Sequence, residues 1–134
     1  MIPMARRFVI QFHDAPDGPH YDLMLEDEGA LATWRVEEMP GGPGRAGPMR
    51  AEKLSDHRLA YLSYGGPVSG GRGTVRIADA GTFAVLERRE DLWRVELAGG
   101  AVRGRFSLTR VSGARWQLTG PERPAGSEAS ADRR

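Results

Sequence analysis

Apolar and polar positions along the chain fall into short runs, many alternating with period two and separated by Gly, Pro and Asp. That period is the mark of β-strands with one face buried. The first two runs are Phe8-Val9-Ile10-Gln11-Phe12-His13 and His20-Tyr21-Asp22-Leu23-Met24-Leu25. They flank Asp14 to Pro19, whose Pro, Gly and Asp content predicts a tight connection. Ala30 to Glu37 predicts a third strand, and Glu38 to Pro48, dense in Gly and Pro, a flexible loop. Arg50 to Leu54 reads as a short strand, and His57 and Tyr61, four apart, fall on one side of a helical turn or are brought together by a loop. Gly65 to Gly73 is too glycine-rich for regular structure. Thr74–Ala78 and Gly81–Glu87 flank Asp79-Ala80 as a hairpin. Leu92–Leu97, Val102–Arg110 and Arg115–Thr119 complete the strands. Short strands at close spacing without a long amphipathic helix predict an all-β fold, a compact antiparallel β-barrel with short helical turns.

The faces of the first two strands carry the candidate chemistry. Gln11 and His13 share one face, opposite Phe8, Ile10 and Phe12. His20, Asp22 and Met24 share a face, opposite Tyr21, Leu23 and Leu25. If the strands pair, His13, His20 and Asp22 converge, and two imidazoles with a carboxylate suit a divalent transition metal with positions left open. Asp14 is placed to orient a histidine ligand, or simply to form the turn.

Composition narrows the picture further. At 134 residues the chain predicts one domain over 1–120, with 121–134, rich in Pro, Ser, Ala, Arg and Glu, as a disordered tail. The formal net charge of +1 provides no global field for nucleic acid, so any basic surface is local. Lys53 is the only lysine among the basic residues. With no cysteine, disulfides, thiolate zinc sites and cysteine nucleophiles are excluded. No apolar run reaches the roughly 18 residues of a membrane span, and no signal-peptide pattern follows Met1 to Arg7. The expectation is a soluble, cytoplasmic monomer. Trp34, Trp93 and Trp116 are candidate core residues.

Several motifs, in order, resemble the 3′-phosphoesterase domain family of bacterial DNA ligase D. They are Gln11-Phe12-His13-Asp14, then His20-Tyr21-Asp22-Leu23-Met24-Leu25-Glu26, then Trp34. Asp56-His57-Arg58-Leu59-Ala60-Tyr61 follows, with the Gly65–Val75 segment, Asp79-Ala80-Gly81-Thr82, Gly104-Arg105-Phe106 and Trp116. The resemblance implies a β-barrel with a crescent-shaped groove and a metal site at His13, His20 and Asp22. The ion would be Mn²⁺ or another divalent metal such as Zn²⁺ or Co²⁺. His57 and Tyr61 would contact the scissile phosphate, with Gln11 beside the metal pocket. The implied activity removes a 3′-terminal ribonucleotide and then the 3′-phosphate from DNA or DNA/RNA primer–template ends, leaving a hydroxyl for a separate ligase or polymerase.

Two positions depart from the family pattern. The phosphate-binding arginine of the His-Tyr-Asp-Phe-Arg-Leu-Glu motif is Met24 here, and a second motif arginine falls on Met49. Methionine cannot form a bidentate guanidinium contact. Arg35, Arg50 and Arg72 are the candidate substitutes. Two alternatives follow from the residues: a module that binds metal and nucleic-acid ends without turnover, or a non-haem iron oxygenase-like triad of His20, Asp22 and His57.

Overall fold

The computed structural model describes residues 5–41 and 47–122. Part of the predicted 38–48 loop, and the tail from 123 onward, lie outside the described residues. Nine strands and one 3₁₀ turn follow in order: β1 (Arg6–Ala15), β2 (Gly18–Asp27), β3 (Ala30–Val36), β4 (Met49–His57), the turn Leu59–Leu62, β5 (Gly66–Pro67), β6 (Thr74–Arg89), β7 (Leu92–Gly99), β8 (Arg103–Ser112) and β9 (Arg115–Thr119). They form one antiparallel sheet in the order β1-β2-β3-β4-β9-β8-β7-β6-β5, and a further β1–β6 pairing closes it into a ring. Closure leaves β1 hydrogen-bonded on both sides, so it presents no free edge. The all-β expectation holds. No helix among the described residues is long and apolar enough to cross a membrane.

One face of this sheet encloses the core. Phe8 and Ile10 of β1, Leu23 and Leu25 of β2, and Trp34 and Val36 of β3 pack with Phe106 and Leu108 of β8. Trp34 is fully buried, with Trp93 and Trp116 edge-on at ring separations of 5.7 and 5.5 Å. All three tryptophans are core residues, as their pattern predicts. The opposite face carries a second apolar cluster: Val9, Met24 and Leu31 lie under Leu59, Tyr61 and Leu62 of the 3₁₀ turn. This explains why Phe8-Val9-Ile10 and Leu23-Met24-Leu25 are apolar at every position: those segments are buried on both faces.

Several boundaries depart from the sequence reading. The predicted hairpin at Asp79-Ala80 is absent, because β6 runs unbroken through it as a 16-residue strand. A register shift against β1 occurs there: Ile10 pairs with Asp79 and Gln11 with Ile77, so Ala78 is the extra residue of a bulge. Asp79 serves a turn elsewhere in the chain. Its carboxylate accepts hydrogen bonds from the backbone N–H of Gly100 (2.9 Å), Ala101 (3.1 Å) and Val102 (2.7 Å), and so caps the β7–β8 connection. Gly99 leaves room for this, since a Cβ there would lie 2.5 Å from Asp79 Oδ2 and 2.8 Å from Phe8 Cζ. His57 ends strand β4 and is not on a helical turn. Within the glycine-rich run, Gly66-Pro67 does pair with β6. Glu122, just past the expected domain boundary, donates its N–H to the Arg105 carbonyl, and its carboxylate meets Arg94 at 2.9 Å.

Burial pushes the Asp79 carboxyl up, and the backbone N–H groups of Val102, Ala101, Ala80 and Gly100 more than offset this, so its pKa lies below the ordinary carboxylate value. A depressed folded-state pKa adds stability that is present above the unfolded value of about 4 and lost as pH falls through the folded value. Asp79→Ala should therefore cost about 2–3 kcal/mol at pH 7, by leaving buried donors unpaired. The deficit relative to wild type should shrink below about pH 4. Denaturant melts at pH 7 and pH 3 check this, and an equal deficit at both values would contradict it.

Candidate metal centre

Pairing of β1 with β2 sets His13 opposite His20, Gln11 opposite Asp22 and Val9 opposite Met24. Residues directly opposite in an antiparallel pair share a face, so this register assembles a polar end and an apolar end on the side away from the core. At the polar end the two imidazoles meet edge-to-face with ring centroids 4.8 Å apart. His13 Nδ1 lies 3.5 Å from Asp22 Oδ2, and His20 Nε2 lies 3.3 Å from Asp22 Oδ1. One ligand atom from each of the three residues can be chosen so that all lie within 4.8 Å of one another. The expected convergence is present.

The site is buried unevenly. The His20 and Asp22 side chains are each 4% exposed and that of His13 is 17% exposed, so the trio opens to solvent on the His13 side. Asp22 Oδ1 and His20 Nδ1 are buried with no hydrogen-bond partner. A carboxylate at this depth is costly unless a cation compensates it. Burial pushes the His20 imidazole toward neutrality, and the Asp22 carboxylate beside it raises its pKa above the ordinary histidine value.

The hydrogen bond on the far nitrogen of His13 is informative. His13 Nε2 lies 2.7 Å from the Arg72 carbonyl oxygen. A carbonyl only accepts, so Nε2 donates, and Nδ1 is the nitrogen that faces Asp22. A cation placed between Nδ1 and the carboxylate would be bound by both. A metal-ligating histidine held through its other nitrogen by a backbone carbonyl is the usual arrangement. The N, N, O donor set and the orphaned carboxylate oxygen therefore fit a divalent transition metal such as Mn²⁺, Zn²⁺ or Co²⁺.

His13 and Asp22 line an open cleft whose walls also include Gln11, His57, Tyr61 and Arg72. His57 Nδ1 donates to the Ser55 carbonyl at 3.0 Å, which leaves Nε2 uncommitted. The His57 and Tyr61 rings meet edge-to-face at 5.6 Å. His57 is not one of the three close ligands, so the alternative triad of His20, Asp22 and His57 is not assembled. Gln11 is 1% exposed, and its Nε2 donates to the carbonyls of Tyr61 (3.0 Å) and Tyr64 (3.1 Å). Gln11 lines the cleft beside His13 and Asp22, and its amide donors pin the 3₁₀ turn beneath Tyr61.

The remaining candidates separate clearly. Asp14, next to His13 in the strand and so on the opposite face, is exposed and makes no contact with a histidine; the Arg72 carbonyl holds His13 instead. Arg50 does not reach the cleft and lines a separate depression with Arg115 and Trp116. Arg35 lies opposite Asp22 in the β2–β3 register, but its guanidinium pairs with Asp17 at 3.2 Å and Glu37 at 3.8 Å. Arg72 lines the cleft, with its guanidinium bound to the Ser69 carbonyl (2.7 Å) and hydroxyl (3.1 Å). Met24 and Met49, in place of the two motif arginines, are both buried apolar residues. The sequence reading passed over Ser55, Asp56, Arg58, Val68 and Val75, which also line the cleft. Arg58 directly follows His57, and that adjacency was the available signal.

Comparison with known proteins agrees with this geometry. The model of the DNA Ligase D 3′-phosphoesterase domain family matches residues 11–110. The multifunctional non-homologous end joining protein LigD of Mycobacterium bovis is 35% identical over 116 residues, which cover 81% of this chain and 15% of that protein. Its counterpart in Pseudomonas aeruginosa is 34% identical over 116 residues, 79% of this chain and 13% of that protein. The Mycolicibacterium smegmatis protein is 32% identical over 125 residues, 82% of this chain and 16% of that protein. The chain thus spans only a small part of the length of the curated relatives it matches. By sequence, motif order and the site its strands assemble, the chain belongs to the DNA ligase D 3′-phosphoesterase domain family.

Proposed function

We propose that this protein is a metal-dependent phosphoesterase that trims 3′ ends of DNA or DNA/RNA strands during DNA repair. It would remove a terminal ribonucleotide and then the 3′-phosphate, leaving a hydroxyl for a ligase or polymerase. The observation that carries this reading is the Asp22 carboxylate, buried between His13 and His20 at the wall of the cleft that holds His57 and Tyr61. His13, His20 and Asp22 would hold a divalent ion, which would supply Lewis-acid chemistry to a phosphoryl group.

The protein's own groups serve the rest of the reaction. His57 is fixed through Nδ1 on the Ser55 carbonyl, so Nε2 is the nitrogen that can hold a proton for the departing oxygen. Tyr61 lies between the His57 and Tyr64 rings, edge-to-face with each at 5.6 Å. Gln11 holds the backbone of this turn from below, and the Val9, Met24 and Leu31 cluster supports it. This support keeps Tyr61 at a fixed height over the cleft, where its hydroxyl can donate to phosphate. Water enters from the open His13 side.

Two measurements test the proposal. On a labelled primer–template ending in a ribonucleotide or a 3′-phosphate, the wild type with Mn²⁺ should trim the end. His57→Ala should lower turnover roughly a hundredfold, the contribution expected of a lost general acid. Trimming that survives intact in His57→Ala would remove that residue from the reaction. Tight binding to these ends, with no trimming under any divalent metal, would replace the enzyme by an end-binding module.

Separately, Mn²⁺ at about a hundred times its dissociation constant should stabilise the wild type by about 2.7 kcal/mol, seen as a rise in Tm. His13→Ala and Asp22→Asn should lose that rise, and His57→Ala should keep it. A metal-induced shift that persists in Asp22→Asn would place the ion elsewhere.

A further inference from the structure

The cleft needs a cation for a terminal phosphate, and its two arginines differ. The Arg72 guanidinium is committed to Ser69, and the Arg72 carbonyl to His13. Arg58 is exposed, and its guanidinium makes no hydrogen bond, ion pair or ring contact among the described residues. The nearest acid in sequence that lines the same cleft, Asp56, is engaged by Lys53 at 3.6 Å. An unpaired guanidinium lining a cleft beside a buried carboxylate is a fork of donors without an acceptor.

Its backbone, by contrast, is fixed. Arg58 joins the end of β4 to the 3₁₀ turn with extended dihedral angles (φ −75°, ψ 148°), and its carbonyl accepts the Tyr61 N–H at 3.0 Å. The same turn is pinned from below by Gln11. Arg58 also lines a neighbouring depression with Tyr61, Tyr64 and Pro67, of which Tyr64 is exposed.

Building on the phosphoesterase reading, we propose that Arg58 is the residue that binds the terminal 3′-phosphate and gives the cleft its preference for phosphorylated ends. A bidentate guanidinium–phosphate contact brings charge and geometry together. It discriminates a 3′-phosphate from a 3′-hydroxyl because only the former offers a dianionic group at the strand end. In the 3′-phosphate step Arg58 grips the same terminal phosphate that reacts and thereby sets the preference for phosphorylated ends, while His57 and Tyr61 serve the ester bond that breaks.

Binding to the Mn²⁺-loaded protein tests this directly. Fluorescent oligonucleotides ending in a non-hydrolysable 3′-methylenephosphonate or in a 3′-hydroxyl are titrated against wild type, Arg58→Ala, Arg58→Lys and Arg50→Ala. The wild type should prefer the phosphonate end about tenfold or more, the scale of one charged hydrogen-bonded contact. Arg58→Ala should lose most of that preference while binding the hydroxyl end nearly as before. Arg58→Lys should recover part of it, and Arg50→Ala, outside the cleft, should keep it. The salt dependence of phosphonate-end binding should also become shallower by about 0.7 in the log–log slope on loss of one phosphate contact. An unchanged preference in Arg58→Ala, an equal weakening of both ends, or no preference in the wild type would each overturn the assignment. Wild-type turnover of an ordinary 3′-phosphate is followed in parallel. Its absence, with the Arg58-dependent preference intact, would sink the phosphoesterase reading and leave the binding role of Arg58 standing.

Discussion

A carboxylate buried between two imidazoles is the constraint around which the functional half of this molecule is arranged. Asp22 lies 3.3 Å from one ring and 3.5 Å from the other, and neither approach fully satisfies it. Such a group lowers the stability of a protein without a cation, so its presence must be fixed by neighbours that are stable in their own right. They are close at hand. On the other face of the same two strands, Phe8, Ile10, Leu23 and Leu25 enter the core. A slip of one residue in the β1–β2 register would send these to solvent and the histidines inward. The hydrophobic core therefore determines the geometry of the His13, His20 and Asp22 group through the pleat of two strands.

The second apolar cluster extends that control to the other side of the cleft. Val9 and Met24, directly opposite each other, lie on the same face as the trio and seat the turn that carries Tyr61. Met24 in this position favours packing under the turn and leaves the floor of the cleft without a positive charge. The cation requirement then passes to the rim, where Arg58 stands on a backbone held by Gln11 and by its own carbonyl. Apolar support and polar chemistry are thus divided along one face, row by row across the paired strands.

Much of this was legible in the sequence because it depends on period two and on neighbours close in the chain. The alternation in Phe8–His13 and His20–Leu25 is enough to bring His13, His20 and Asp22 together once the strands pair, and the connection between them is short enough to require pairing. The rest depends on contacts distant in sequence. Asp79-Ala80-Gly81 has turn composition, yet its carboxylate caps a connection 21 to 23 residues further on. Gln11 looks like a cleft residue, and its amide is committed to carbonyls 50 and 53 residues away. Arg50 and Arg58 are equally plausible phosphate ligands as letters. Only the β4 register, which pairs Arg50 with Gln117, and the turn that follows His57 distinguish them.

The central claim is that His13, His20 and Asp22 jointly hold a divalent metal, and anomalous scattering tests it most directly. Crystals of the protein soaked in Mn²⁺ should show one strong anomalous peak bounded by His13, His20 and Asp22, with the His13–Arg72 contact retained. The peak should be missing from Asp22→Asn crystals treated identically. A peak at any other residues, or none while the three side chains remain in place, would contradict the account.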